Sequence, residues 1–456
     1  MPLVLRRGWA GALRNLLLFL LILGPWPARD EPFEGTEFAR ATLSRMAVSP
    51  GKPIPGPVWV GMAEVDLGPP AGVATPTAGF IGSIARPIVA VNSSCHARAL
   101  TVAGRSASVT ILAADLLLVD DRLARAVLAR AGLPREQVYF TATHTHGGPG
   151  AWGIHPLERL VAGTYDPEAF GRLADRLAEA VVRSRARLDA AEVAFVRVDA
   201  PGLQRNRIEP DAPTDDSLSA WVFRSPTPLP GRPGPRPALA TLASFGAHAT
   251  IARPWPPRLG ADYPGAFVAA LPGLVDSGLV LFAAGAVGDA GPVRPDVPGH
   301  QAAADAYGRQ LAGRLAGAIA GAEFRAEAEL DVRGLDVDLM PVQYPIGGPR
   351  LRLSPLATWW MARPRTYLQA VRLGPAVLVG FPGDYAGHLA RRLRGTVPVV
   401  ATSFDGDYKG YLTSAATFQA ISSYETRRMS FFGPHLGDYL TDLAQRRVDQ
   451  LAPPRP

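Results

Sequence analysis

The sequence predicts an α/β fold, with mixed β-sheets flanked by helices in a single domain over residues 57–450. Three observations predict it. Val109 to Val119 is an apolar run in which Asp115 is the one charged residue, which reads as a buried strand. Helical periodicity over 120–131 and a second apolar run from Val138 to Thr143 follow, giving a strand–helix–strand unit with parallel strands. The same alternation recurs along a chain of 456 residues that is 47% hydrophobic and 19% charged, enough apolar material for a large core.

The first 28 residues stand apart. Arg6, Arg7 and Arg14 precede an apolar run over residues 15–26. That run is shorter than the roughly 20 residues of a comfortable membrane span. Its charged and apolar regions are those of a secretory signal peptide, with Ala28 as cleavage point. Retention as a signal anchor is the alternative. Both readings imply export, to a periplasmic or extracellular location. Residues 29–56 read as a linker into the fold.

From Val58 strands and helices alternate. The helix over 120–131 ends at Gly132 and Pro134. Asp166-Pro167 supplies an N-cap and a proline at the first helical position, opening a helix that reaches about Leu188. A strand is expected at Val193 to Val198, and Arg224 to Pro237 reads as a Pro/Gly/Arg surface loop. Further strands are expected at Leu239 to Phe245, Gly278 to Ala284, Ala376 to Phe381 and Val397 to Phe404. Helices are expected at Gln301 to Ala320 and Tyr385 to Leu393, and a surface loop at Gly347 to Pro355. There is no internal repeat.

The formal net charge is +7. The arginines are scattered and form no block, so no nucleic-acid partner is indicated, while a peripheral membrane surface is compatible. Cys95 is the one cysteine. It excludes an intramolecular disulfide and a thiolate metal cluster, and reads as a small buried residue. Nothing here specifies the oligomeric state.

The strongest local signal is Thr143-His144-Thr145-His146-Gly147-Gly148-Pro149-Gly150. Its imidazoles sit just past a predicted strand end, where ligands collect in α/β sheets. Along an extended chain the two rings point to opposite faces unless the chain bends. Metal ligands and hydrogen-bonded structural histidines are both open readings. His248 follows the strand at Leu239 to Phe245, and Asp384 follows the one at Ala376 to Phe381. Alone, His248 reads as a core histidine and Asp384 as an N-cap for the helix after it. Three potential ligands, each at the end of an apolar strand, favour a metal site with an open position. Asp115, inside an apolar run, needs a partner: either a metal-bound histidine or an arginine. Asp289 reads as a turn residue near the site.

At this point the chain resembles the neutral/alkaline non-lysosomal ceramidase family. The resemblance is carried by Val60-Gly61 to Asp66, Ala113 to Leu116, the His-x-His segment at 143–149, Asn206-Arg207, and His248 with Asp262-Tyr263-Pro264-Gly265. It continues through Val287-Gly288-Asp289, Phe381 to Asp384, Tyr408-x-x-Tyr411, Tyr424-Glu425 and Gly433-Pro434-His435. These occur in the family's order. The resemblance implies a ceramidase-like catalytic domain with one Zn2+ held by His144, His248, Asp384 and Tyr411. It implies that His146, Arg207 and Tyr424 contact the scissile amide. Without it, Arg207 reads as a surface arginine, and Tyr411 and Tyr424 as packing residues. The family's ligand Glu is Asp384 here, its serine after His-x-His is Gly147, and its proposed nucleophilic serine aligns with Gly285. The resemblance covers the catalytic domain and does not extend to the family's C-terminal β-rich domain.

The expected function is hydrolysis of the amide of ceramide or a related N-acyl lipid by metal-activated water. The same ligands would serve another N-acyl or ester substrate. A non-catalytic envelope binding protein is the reading from a different class.

Overall fold

The computed structural model describes residues 2–46, 54–80, 87–105, 107–227, 238–253, 256–359 and 361–453. Residues 228–237, most of the expected loop at Arg224 to Pro237, lie outside these. The chain opens with helix α1 (Pro2–Ile22), strand β1 (Trp26–Pro27) and helix α2 (Glu37–Met46). The segment expected as a linker therefore carries a helix, and α2 buries Ala39, Thr42 and Met46 against the domain.

A nine-stranded sheet follows. It includes β2 (Gly56–Asp66), β3 (His96–Ala103), β4 (Ser108–Ala114), β5 (Val138–Ala142), β6 (Asp189–Asp199), β7 (Ser217–Arg224), β8 (Ala238–Phe245) and β9 (Ser277–Ala284). The main path runs β9-β8-β7-β6-β2-β3-β4-β5. The pairs β4–β5 and β8–β9 are parallel, while β2–β3 and β6–β7 are antiparallel. Between β4 and β5 lies helix α3 (Asp121–Ala131), capped by the Asp120 side chain and ended by Gly132 in the left-handed region. Helices α4 (Pro167–Ala186) and α5 (His300–Ala320) cover the same face of the sheet, burying Leu173, Leu177, Tyr307 and Leu311.

The chain then builds a second sheet from β10 (Leu330–Asp338), β12 (Arg365–Leu373), β13 (Ala376–Phe381) and β15 (Val399–Ser403), in the order β10-β12-β13-β15. The short strand β11 (Leu351–Arg352) lies in the expected surface loop and pairs with β1. The short parallel pair β14 (Asp384–Tyr385) and β16 (Tyr411–Leu412) stands outside the four-stranded sheet. After β14 comes a single turn of helix, α6 (Gly387–Ala390). The expected helix from Tyr385 to Leu393 is thus shortened, because Asp384 and Tyr385 stay extended to pair with Tyr411 and Leu412. Helix α7 (Leu436–Leu451) packs on the outer face of the second sheet.

The two sheets stack on one another. Leu100, Val102, Ile111 and Trp221 from the first meet Val371, Leu373 and Leu378 from the second. The result is four layers, helix–sheet–sheet–helix. Both faces of β4 and β13 are buried, so their sequences read as unbroken apolar runs. The run from Val109 leaves the strand after Ala114. Asp115 there is fully buried and bonds Arg98 Nη1 at 2.8 Å and the His96 amide at 2.9 Å. Its partner is the arginine, not a metal-bound histidine.

Arg98 is the guanidinium that lets a carboxylate sit in this core, and Glu64 holds its Nε at 2.6 Å. Arg98→Ala would leave Asp115 charged, buried and unpaired, costing about 3–5 kcal/mol. Urea unfolding should show that loss. A change under about 1 kcal/mol would mean that another group, such as the His96 amide, compensates for the lost guanidinium.

Candidate metal centre

The site forms where the two sheets meet, just beyond the C-terminal ends of β5, β8 and β13. Each of these strands has a parallel neighbour, and the loops leaving them converge, as loops at such strand ends do. His144 has φ 59, a conformation that a non-glycine residue adopts only under outside constraint, at a cost of about 1–3 kcal/mol. That bend overcomes the alternation of an extended chain. The rings of His144 and His146 meet edge to face at 5.0 Å, with their Nε2 atoms 3.5 Å apart. Phe404 stacks on His144 at 4.3 Å, and Phe80 packs against His146 at 4.7 Å.

His144, His248 and Asp384 are all buried, and one ligand atom of each lies within 4.8 Å of the others. His144 Nδ1 bonds the Leu117 carbonyl at 2.7 Å, and His248 Nδ1 bonds the Ala290 carbonyl at 3.1 Å. A carbonyl only accepts, so each Nδ1 carries the proton and each Nε2 presents a lone pair. Asp384 Oδ1 lies 3.5 Å from His144 Nε2 and 3.3 Å from His248 Nε2, yet it accepts no hydrogen bond. Its other oxygen, Oδ2, accepts from the Tyr408 hydroxyl at 2.8 Å. Tyr411 Oη is 3.0 Å from His248 Nε2. Two imidazole lone pairs, an orphaned carboxylate oxygen and a phenol therefore surround one point. That donor set fits zinc.

The electrostatics follow from burial. Desolvation pulls the His144 value down to about 4, with the opposite pull of Asp384 too weak to restore it. It lowers His248 and His146 well below the ordinary imidazole value, Arg207 adding to the effect on His248. Burial raises Asp384, against the opposing influence of His144 and Tyr408. Both ligand imidazoles are thus neutral, the form that binds a metal.

The remaining residues singled out in the sequence are also here. Arg207 Nη2 pairs with Glu425 Oε1 at 2.9 Å, and the guanidinium is a hydrogen-bonding neighbour of Tyr411. Arg207 is held from behind, because its amide bonds the Asp289 carbonyl at 2.7 Å. Tyr424 stands edge-on to Tyr411 at 6.0 Å and is 38% exposed. Asp384 is not an N-cap. Asp289 caps α6 instead, accepting from the Gly387 and His388 amides at 2.6 and 3.1 Å, so it is more than a turn residue. The sequence assigns no role to Tyr408, Glu425, Phe80 or Phe404; Tyr408 and Glu425 carry the one usable signal, their place in the motifs Tyr408-x-x-Tyr411 and Tyr424-Glu425 of the resemblance.

A cavity of about 640 Å³ opens beside the cluster. Tyr408 and Tyr424 belong to its wall, with apolar lining from Leu118, Trp152, Val161, Met361 and Phe431. Charged residues such as Arg122, Glu158 and Arg428 also line it.

Among solved structures, the chain is similar to neutral ceramidase from Pseudomonas aeruginosa, with a TM-score of 0.71 at 18% sequence identity, covering 87% of this chain and 75% of that one. It is also similar to a ceramidase complexed with C2, with a TM-score of 0.72 at 18% identity, covering 88% of this chain and 76% of that one. No protein-family model and no curated protein matches the chain. At this identity the likeness establishes the fold: a single α/β domain of the neutral ceramidase type.

Two predictions follow from the geometry. Tyr408→Phe removes the donor that fixes Asp384 and should weaken the affinity of this cluster for a divalent metal about 10–100-fold. Competition against a chelating dye measures it, and unchanged affinity would detach Tyr408 from the centre. The second concerns pH. In chelator-treated protein His144 stays neutral down to about pH 4, whereas in the unfolded chain it protonates below about 6.5. The unfolded state binds the extra proton in that window, so stability falls as pH drops through it. Asp384, raised by burial, acts in the opposite direction, because its fold takes up the proton first. His144→Gln should therefore lose less thermal stability than the parent between about pH 7 and 5. Equal losses would contradict the neutral, buried imidazole.

Proposed function

We propose that the chain is a zinc-dependent hydrolase that cleaves the amide bond of ceramide or a related N-acyl lipid. One observation carries this reading: two neutral imidazoles and a donorless carboxylate oxygen converge beside an apolar-walled cavity, on a fold shared with neutral ceramidase. His144, His248, Asp384 and Tyr411 would hold the ion. When bound, zinc supplies Lewis acidity toward the amide carbonyl and toward water, whose pKa it can bring from 15.7 to about 7.

This chain's own residues do the rest. The cavity wall takes the acyl chain and keeps bulk water from it. Tyr424, partly exposed toward the cavity, donates its hydroxyl proton as a hydrogen bond to the carbonyl oxygen as negative charge develops. Water adds to the carbonyl carbon, the C–N bond breaks, and the products are a fatty acid and a free amine. His146, neutral and 3.5 Å from His144, accepts a proton from the attacking water and passes it to the departing nitrogen. Arg207, steadied by Glu425, orients the polar head group by charged hydrogen bonds.

A serine nucleophile is disfavoured at the family's position. A Cβ on Gly285 would lie 2.9 Å from the Phe245 carbonyl carbon and 3.0 Å from the Gly246 nitrogen, so no side chain fits there without a backbone shift. An exported location accords with the charged and then apolar N-terminus.

The test combines metal content with turnover. Purified protein should carry one zinc and release fatty acid from ceramide, within a panel that includes N-acyl amino sugars and esters. His144→Ala should lose both zinc and turnover. Tyr424→Phe should keep zinc and lower kcat about 100-fold with little change in KM. Full zinc occupancy and turnover in His144→Ala would overturn the assignment.

A further inference from the structure

Much of the exposed apolar surface that the proposed reaction does not use lies along one flank. The last turns of α1 are apolar on every side and exposed: Leu17 57%, Phe19 53% and Leu21 51%. A segment apolar on every side is stable when buried, in a protein core or in lipid, and not in water. Arg14 precedes the apolar stretch, with Arg6 and Arg7 earlier in the helix, a charge pattern that favours anionic head groups. Among the described residues no helix is long and apolar enough to cross a membrane.

This helix does not hang on a loose tether. The Ser354 hydroxyl and amide donate to the carbonyls of Ile22 and Leu23. Trp26 and Pro27 pair with Arg352 and Leu351, and the Ala28 amide bonds the Arg350 carbonyl at 2.9 Å. Gln343 grips Arg29 from both sides, accepting from its amide at 2.6 Å and donating to its carbonyl at 3.2 Å. Asp30 closes the strap on His435 and Gln419, each at 2.8 Å. The residues around the expected cleavage point are therefore built into the domain.

The strap ends beside the cavity. Tyr344, next to Gln343, is part of the cavity wall. Beyond β11, which takes the strap, come Leu356 and Trp359, exposed by 58% and 78%, and Trp359 lines the cavity. The apolar flank is thus continuous with the cavity lining.

We propose that this flank docks on a phospholipid bilayer. The apolar turns of α1, together with Leu356 and Trp359, enter the head-group and upper acyl region, and the strap over residues 22–30 holds the cavity mouth against that surface. On the functional reading above, an acyl chain then passes from bilayer to cavity without crossing water. The docking itself does not depend on that reading.

The test uses the full chain, purified in mild detergent and mixed with vesicles of phosphatidylcholine, with and without phosphatidylglycerol. The protein should float with the vesicles, more strongly with the anionic lipid. The double variant Leu17→Glu/Phe19→Glu should partition at least about tenfold less. Quenching by phospholipids brominated in the acyl chain should exceed that of Trp359→Phe, and the excess should fall in Asp30→Ala/Gln343→Ala, which removes the strap's side-chain holds at residues 29 and 30 while leaving α1 intact. Failure to float, or equal flotation of the double variant, overturns the docking. So does a dimer held by α1 that does not exchange onto vesicles, because it assigns the face to a second copy of the chain. Quenching that is unchanged in Asp30→Ala/Gln343→Ala overturns the role of those two holds. Neither readout uses hydrolysis, so failure here is separate from failure of the proposed reaction.

Discussion

The structure turns on three lone pairs aimed at one another inside the protein core. Nε2 of His144, Nε2 of His248 and Oδ1 of Asp384 lie mutually within 4.8 Å, and none of them brings a proton to the others. Left to themselves they pay for desolvation with little return: Asp384 Oδ1 accepts no hydrogen bond, and His248 Nε2 has the Tyr411 hydroxyl alone. A core built only for stability would replace them with apolar groups. A cation at their centre converts each cost into an attraction. The surrounding devices make sense on that premise: the strained φ of His144, the carbonyls that pin both Nδ1 protons, and the Tyr408 hydroxyl that occupies the second Asp384 oxygen and leaves the first free.

The shorter acid fits the same logic. Aspartate reaches one methylene less than the glutamate expected from the resemblance, so the backbone must come closer. It does so through β14, whose Asp384 sits in register with Tyr411 on β16. One ladder thus places two members of the cluster side by side. On the other side Gly288 lets the chain approach, since a Cβ there would lie 2.3 Å from the Asp384 carbonyl oxygen. Two extended residues replace the expected start of a helix, and the loss of that helix is the geometric condition for the ligand.

Much of this could be read from the sequence where the signal is local. The strand Ala376–Phe381 and the start and stop of α3 are set by an apolar run, an aspartate cap and a glycine, all within a dozen residues. The placement of His144, His248 and Asp384 after apolar strands was legible for the same reason. The rest depends on contacts between distant parts of the chain. The stacking of two sheets leaves the same apolar runs as a single sheet covered by helices. The two rings of His-x-His meet only because of a backbone angle with no composition signature. Arg207, Tyr411 and Tyr424 carried no pattern of their own and were reached through the resemblance alone. The strap that joins Arg29 to Gln343 and Asp30 to His435 crosses more than 300 positions, so its residues looked like a linker.

On the proposed reading the substrate is a lipid amide, with an apolar tail and a polar bond to be broken, and the site would have to separate their solvents. Two phenols stand at that boundary. Tyr408 and Tyr424 line the cavity while Tyr408 bonds Asp384 and Tyr424 packs on Tyr411. Phenols suit the position because a ring can face hydrocarbon while its hydroxyl serves a polar neighbour. The crowding at Gly285 leaves no nucleophilic side chain at that position, so on that reading activation of the carbonyl would fall to the cluster and to the hydroxyl of Tyr424. A site that hydrolyses in this way would need no covalent intermediate. It needs a low-dielectric pocket in which donors already point at the oxygen that will carry charge, and the same burial that depresses the three histidines creates that pocket.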